Sequence, residues 1–464
     1  MKKEYRETLR ATLVSIWLSA AAFILVMVVT APRGIGMTTD SVVYFQAARY
    51  ASFGEGFLGF SRRGELEPLL HYPPLYPAVL ALGSYLGLDT FGWARLVNSF
   101  LFGLNVFLIS ILAFYITGRR RSALLAGWLA LIFVQMVEIH AIALSEPLFL
   151  ALTLLALGTL MIYVEKGNRR WLMLSALLAG LSMLTRHGGL AVVVAGVLAL
   201  GTVSRRNSRG RILELAGFLA SALALPLLWA WRNVTLSGRA TDLHFGFFPA
   251  AVTGFWRGID TISVFLLPAS LPATVRWVAL GLFLWALTAS VLDLVRDLKG
   301  EEGQSRLRTA VTVIGSFLAV YLVGSLLTAL LVSDGGIPLD RRILLPLPAA
   351  LIVLVPALLR RKYFEGISRK IINLRVLLLL LFLGVMFLRT VQLAKSLYQR
   401  GYGYSSRAWT ETSLVKTVRT LAEEVPVYSN DPQAFYFYAG RPAILIPQDK
   451  ADVAYFPEAD QVRK

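Results

Sequence analysis

Eleven apolar runs dominate this chain of 464 residues, most of them close to the ~20 residues a helix needs to cross a hydrocarbon core. They fall near 11–31, 93–117, 122–140, 144–164, 171–186, 187–203, 212–231, 272–292, 309–332, 342–360 and 371–392. Length alone would suggest about three soluble domains at ~150 residues each. No soluble arrangement hides this many such runs, and a composition of 56% hydrophobic and 16% charged residues agrees. The expected class is an all-α polytopic membrane protein. The first run lacks a small-residue cleavage site and is long enough to remain as an anchor.

The formal charge of +18 does not point to nucleic acid, because the basic residues sit in short clusters between the apolar runs. The chain has no Cys, which removes disulfides, thiolate catalysis and Cys-ligated metals. Segments 1–10, 118–121, 165–170, 204–211, 293–308 and 360–375 together hold more than twice as many Lys and Arg as the alternate connections. The positive-inside rule then predicts an N-in, C-out topology. Runs 171–186 and 187–203 are short, but the basic segments flanking the pair should share the cytoplasmic side. The chain therefore crosses twice and turns near Arg186-His187-Gly188-Gly189.

This topology leaves two long outer loops, 32–92 and 232–271, and a tail from Ala394 to Lys464. Function is expected there, since tight connections leave no room for a site. His71, His140, His187 and His244 all map to that face or to its helix ends. Within the first loop, 41–51 has helical spacing and reads as a short surface helix, and 75–88, after Pro73-Pro74, as an interfacial or re-entrant one. The tail shows a helical face at Leu414, Val415, Val418, Leu421 and Ala422 and strand-like stretches at 425–428 and 443–446. It is expected to form a small extracytoplasmic α/β segment, residues 394–464, beside a transmembrane domain of 1–393.

Asp40, in Thr38-Thr39-Asp40-Ser41, has two readings. It caps the surface helix, or it is a carboxylate held at the bilayer surface to deprotonate an acceptor hydroxyl. Glu138, His140 and Glu146 bracket one outer turn, where carboxylates and an imidazole suit a divalent metal, with His71 or His244 as further ligands. Glu146 before Pro147 equally suits a helix start.

Several short motifs then line up along the chain. They are the early Asp40 in a long outer loop, His71-Tyr72-Pro73-Pro74-Leu75-Tyr76-Pro77, Ser145-Glu146-Pro147, Thr185-Arg186-His187-Gly188, the Arg341-to-Pro348 segment and Phe437-Tyr438-Ala439-Gly440-Arg441-Pro442. With them the chain resembles, over nearly its whole length, the polytopic GT-C glycosyltransferases. It is most similar to the family 39-like branch of protein O-mannosyltransferases and bacterial lipid A aminoarabinose transferases.

The resemblance implies a fold of about eleven transmembrane helices and an inverting transfer on the outer face. A sugar would move from a polyprenyl-phosphate carrier to a lipid, glycan or protein acceptor, with the bilayer as partner and no nucleic acid. The family's catalytic acid falls on Asp40. Ser41 stands where the mannosyltransferases commonly carry a second acid, which argues against protein O-mannosylation. A departing phosphate needs cations where its charge develops. The candidates are Arg62, Arg63, His71, Arg186, His187, Arg341 and Arg342, with Arg186 and Arg342 preferred. Glu146 and Tyr72 are candidates for contact with the donor sugar, and a divalent metal at Glu138, His140 and Glu146 is the one cofactor suggested.

A transporter or flippase, or a non-catalytic scaffold of the same fold, would share the spans. Transporters place ionisable groups near mid-membrane, whereas acidic residues are almost absent from these runs.

Overall fold

The computed structural model describes residues 2–61, 63–203, 207–246, 251–300, 305–333, 339–359, 369–421 and 426–446. Helix α1 (Lys2–Val29) leads to a loop holding α2 (Thr39–Ser52), the antiparallel pair β1 (Leu58–Phe60) and β2 (Leu66–Pro68), and α3 (Leu75–Tyr85). There follow α4 (Thr90–Thr117), α5 (Arg120–Ile132), α6 (Val134–His140), α7 (Glu146–Lys166), α8 (Arg169–Met183), a 3-10 turn at His187–Gly189, α9 (Leu190–Val203) and α10 (Ser208–Ser237). The next stretch runs through β3 (His244–Phe245), α11 (Ala251–Leu266), α12 (Ala273–Gly300), α13 (Ser305–Leu331) and β4 (Val332–Ser333), with β3 and β4 antiparallel. The chain ends with α14 (Arg341–Leu344), α15 (Pro346–Leu358), α16 (Arg369–Arg400), α17 (Arg407–Thr410), α18 (Ser413–Thr420), β5 (Tyr428–Ser429), α19 (Pro432–Ala439) and β6 (Ile444–Leu445).

Among the described residues eight helices are individually long and apolar enough to cross a membrane, and the bent pair α5–α6 makes up to nine. The protein is a multi-pass membrane protein. All eleven apolar runs lie on helices, but α8 and α9, with 15 and 14 residues, are shorter than an independent span.

Two compact units divide the chain. The first consists of Met1–Val28, Val97–His140 and Ser145–Lys395. Its centre is α7, which is apolar on every face and buried over most of its length. By contrast α10 and α12 expose Leu227, Leu228, Trp231, Val278, Leu282 and Trp285, a surface suited to lipid tails.

Helix contacts in this unit use small residues and shared hydroxyls, since apolar burial gives no drive to associate in lipid. Ser15 and Ser110 lie 2.8 Å apart, Ser110 Oγ donates to the Ala123 carbonyl at 2.9 Å, and all three residues are buried. Between α8 and α10 the backbones nearly touch, because a Cβ on Gly180 would lie 2.3 Å from the Ala222 carbonyl oxygen. The 61° bend between α5 and α6 falls at Phe133, which is extended. The Ile132 carbonyl is not left bare there, because Thr390 Oγ1 of α16 donates to it at 2.7 Å.

The second unit consists of Val29–Leu96, Ala141–Leu144 and Ser396–Lys464. Its seam is the segment 35–37. Gly36 pairs in parallel with Ile142 and Met37 with Gly403, while Ser405 Oγ donates to the Ile35 carbonyl at 2.8 Å. Only glycine fits at 403, where φ is +55° and a Cβ would lie 1.9 Å from the Met37 carbonyl oxygen.

The helices expected at 41–51 and 75–88 are α2 and α3. In the tail β5 and β6 pair in parallel, and the aromatic run 435–438 between them is helical. Asp431 at the N-cap and Pro432 in the first turn start that helix. Val425, assigned to a strand by sequence, lies outside the described residues.

Replacing Gly180 by Leu forces a side chain into the Ala222 carbonyl and should cost about 1–3 kcal/mol. The melting temperature in detergent is expected to fall. Gly281→Ala, inside α12 with open space around it, should not lower it.

Candidate active site

In the second unit Asp40 lies in the first turn of α2, half-buried. It is not the cap of that helix. Thr38 is, accepting from the Ser41 amide while Ser41 Oγ accepts from the Thr38 amide, a closed capping box. The helix end is thus capped by neutral hydroxyls and not by the Asp40 carboxylate. The Tyr72 hydroxyl donates to its Oδ1 at 2.7 Å.

Tyr72 is fixed in turn by edge-to-face packing on Tyr44 at 5.1 Å and His71 at 4.6 Å, and Tyr44 packs on the buried Tyr76 at 5.2 Å. The stiff Pro73-Pro74 turn therefore places an aromatic bracket around one carboxylate. His71 belongs to that bracket. Arg63 is exposed between β1 and β2, where its amide donates to Ser61 Oγ at 3.3 Å, and Arg62 lies outside the described residues.

A second carboxylate, which sequence reading missed, comes from the tail. The buried Tyr404 hydroxyl donates to both Asp431 oxygens at 2.9 and 2.8 Å and takes a hydrogen bond from Thr39 Oγ1 at 3.0 Å. Burial pushes the Tyr404 phenol up, the Asp431 hydrogen bond and charge act the same way, and Asp40 adds to the effect. The phenol stays protonated at neutral pH and remains a donor. Asn430-Asp431-Pro432 was legible as a helix start, but nothing in the sequence links it to Thr39 and Asp40.

In the first unit, α7 begins at Glu146, with Pro147 in its first turn, so this carboxylate sits at the positive end of the helix. It is 2% exposed. Arg186, in the turn after α8, brings Nη1 to 2.7 Å from Glu146 Oε1 and donates to Ser145 Oγ at 3.3 Å. The Glu146 contact is an ion pair without hydrogen-bond alignment, since neither carboxylate oxygen has a hydrogen-bond donor.

The second preferred arginine, Arg342, pairs with Asp340 at 3.1 Å, and Asp340 also caps α14 through the Arg342 and Ile343 amides. Tyr321 of α13 donates to the Ile343 carbonyl at 2.8 Å, and Arg186, Glu146 and Asp340 all act on its hydroxyl electrostatically. Gly188 of the Arg186 turn lies against its ring. His187 in the same turn is exposed.

The suggested metal trio does not assemble. His140 is fully buried, with Nδ1 2.6 Å from the Met136 carbonyl and Nε2 2.9 Å from Asn105 Nδ2. A neutral ring donating through Nδ1 and accepting at Nε2 uses both nitrogens. Glu138 is taken by Arg341 at 3.2 Å, and Glu146 by Arg186. Among the described residues no three His, Asp or Glu side chains form a group able to hold a metal ion. The spacing 138, 140, 146 was misleading because each side chain already has a protein partner.

Residues 71–231, about a third of the chain, match the family model described as dolichyl-phosphate-mannose-protein mannosyltransferase. No curated protein matches. Solved structures of the same fold superpose on nearly the whole chain. ArnT from Cupriavidus metallidurans, bound to undecaprenyl phosphate, is similar with a TM-score of 0.59 at 16% identity, covering 96% of this chain and 88% of that one. The Archaeoglobus fulgidus oligosaccharyltransferase, in complex with Zn and sulfate, is similar with a TM-score of 0.57 at 12% identity, covering 92% of this chain and 62% of that one.

Removing one partner of the Glu146–Arg186 pair strands a buried charge. Arg186→Met is expected to destabilise by about 3–5 kcal/mol, and Glu146→Leu/Arg186→Met to recover at least half of it. Thermal unfolding of the three proteins checks this.

Proposed function

We propose that this protein transfers a sugar from a polyprenyl-phosphate carrier to an acceptor on the extracytoplasmic face, with inversion and with Asp40 as general base. The observation carrying this reading is that Asp40, though in the first turn of a helix, is spared from capping it and is oriented by Tyr72 at 2.7 Å. The GT-C fold and the positive-inside distribution of Lys and Arg support the reaction class and the face.

In the proposed step the acceptor oxygen attacks the anomeric carbon as Asp40 takes its proton. The bond from that carbon to the phosphate oxygen breaks, and its electron pair leaves on the phosphate. Arg186 and Arg342 are assigned to the departing phosphate, and preorganised cations in a site of low dielectric lower the barrier most at that point. Glu146 holds Arg186 and is assigned to contact with the donor sugar. Tyr72, His71, Arg62, Arg63 and His187 are further assigned to the donor's phosphate or sugar. Among the described residues Glu138, His140 and Glu146 do not form a group able to hold a divalent ion, so the proposed step rests on the arginines.

Purified protein offered a panel of polyprenyl-phosphate sugars is expected to form a glycoside of opposite anomeric configuration, read by NMR. Asp40→Asn should lower turnover about 10²–10⁴-fold. Tyr72→Phe, which keeps the ring and removes the orienting hydroxyl, should lower it less. Equal turnover by wild type and Asp40→Asn overturns the assignment of the base. Passage of unmodified substrate across a vesicle membrane, with no transfer, overturns the enzymatic reading.

A further inference from the structure

A cavity of about 410 Å³ in the second unit takes no part in the chemistry proposed above, and its walls include Arg33, Asp89, Phe91, Arg95, Phe437 and Tyr438. It falls in the size range of small-ligand sites, roughly 300–1,000 Å³.

Chain position fixes its depth. Arg33 follows the last residue of α1 by four, Asp89 immediately precedes α4, and Arg95 is in the second turn of α4. Both helices qualify as membrane spans, so both guanidiniums stand where a span meets the headgroup layer, the level of lipid phosphate.

The charge of the lining favours an anion. Asp89 is committed to the helix it precedes, accepting from the Gly92 amide at 2.6 Å at the positive end of α4. Arg95 Nε donates to Thr30 Oγ1 at 2.9 Å, which orients the guanidinium, so the lining carries two guanidiniums against the one carboxylate of Asp89. Arg33 reaches Glu411 at 3.7 Å, a loose pair whose carboxylate side chain is half exposed and which contributes little in water.

The remaining walls are aromatic. Phe91 and Phe437 meet edge-to-face at 5.8 Å and Phe437 packs on Tyr438 at 4.9 Å, giving an apolar face beside the two cations. A free inorganic anion would use the arginines and leave that face without a partner. A phosphate carrying a glycerol and the first methylenes of its chains uses both.

We propose that this cavity binds the headgroup of an anionic glycerophospholipid, with the phosphate at Arg33 and Arg95 and the glycerol against Phe91 and Phe437. The proposal does not depend on the transferase reading, in which the donor phosphate is assigned to Arg186 and Arg342.

The full-length protein, released from membranes and supplied with phosphatidylglycerol or phosphatidylcholine, tests it by native mass spectrometry and thermal unfolding. Wild type is expected to retain one phosphatidylglycerol in preference to phosphatidylcholine and to gain about 2–4 °C in melting temperature from it. Arg33→Gln/Arg95→Gln should lose both effects. Thr410→Trp fills the cavity from its exposed rim with both arginines in place, so it should also lose both and guards against a double variant that misfolds. Equal retention of the two lipids, or wild-type retention by Thr410→Trp, overturns the proposal. So does the same thermal gain from free glycerol phosphate, or displacement of phosphatidylglycerol by equimolar polyprenyl phosphate.

Discussion

A chain that threads a bilayer repeatedly cannot leave a charge or a backbone polar group without a partner at low dielectric, and this requirement organises the first unit. The bend between α5 and α6 exposes the Ile132 carbonyl, and Thr390 of a helix some 250 residues later in sequence fills it. Val264 at the end of α11 serves the same purpose for two side chains, accepting from Arg389 at 2.9 Å and from Gln135 at 3.4 Å. Glu138 and Glu146, the acids nearest the α6–α7 turn, each carry an arginine from a distant segment. The irregular backbone that a site needs is therefore tolerated only where another helix supplies the missing hydrogen bond.

The second unit solves a different problem, that of ordering a loop and a tail which have little regular structure. Its β-pairs are two or three residues long, too short to hold by themselves. Rigidity comes instead from glycines that let backbones touch, at Gly36 and Gly403, and from side-chain links between α2 and α19, such as Gln46 to Gln433 at 2.9 Å. Tyr404 ties these features together, through Thr39 on one side and Asp431 on the other. The general base proposed at Asp40 needs such a frame, because a general base works through orientation as much as through basicity.

How much of this was legible depends on the range of the signal. Helices α2 and α3 were readable because amphipathic spacing and Pro73-Pro74 act within a dozen residues. The aromatic run 435–438 received no assignment, because four apolar residues carry no period of their own, and it is helical behind the Asp431-Pro432 start. Asp40 was left between cap and base because both need an Asp at the start of a helix. The capping box at Thr38 and Ser41 removes the first role. His140 looked like a metal ligand from its neighbours in sequence, yet its ring is spent on Met136 and Asn105.

The sequence by itself determined that the chain lives in a membrane, where its helices lie, and which polar residues sit at their ends. Those properties follow from hydrophobic length and local charge, which any short window reveals. Only the tertiary structure decided which charges pair, that Tyr321 reaches the Ile343 carbonyl, and that Asp431 joins Asp40's side of the second unit through Tyr404 and Thr39. Such partners lie tens to hundreds of residues apart, and pairing between them is set by packing, which leaves no periodic trace in the order of amino acids.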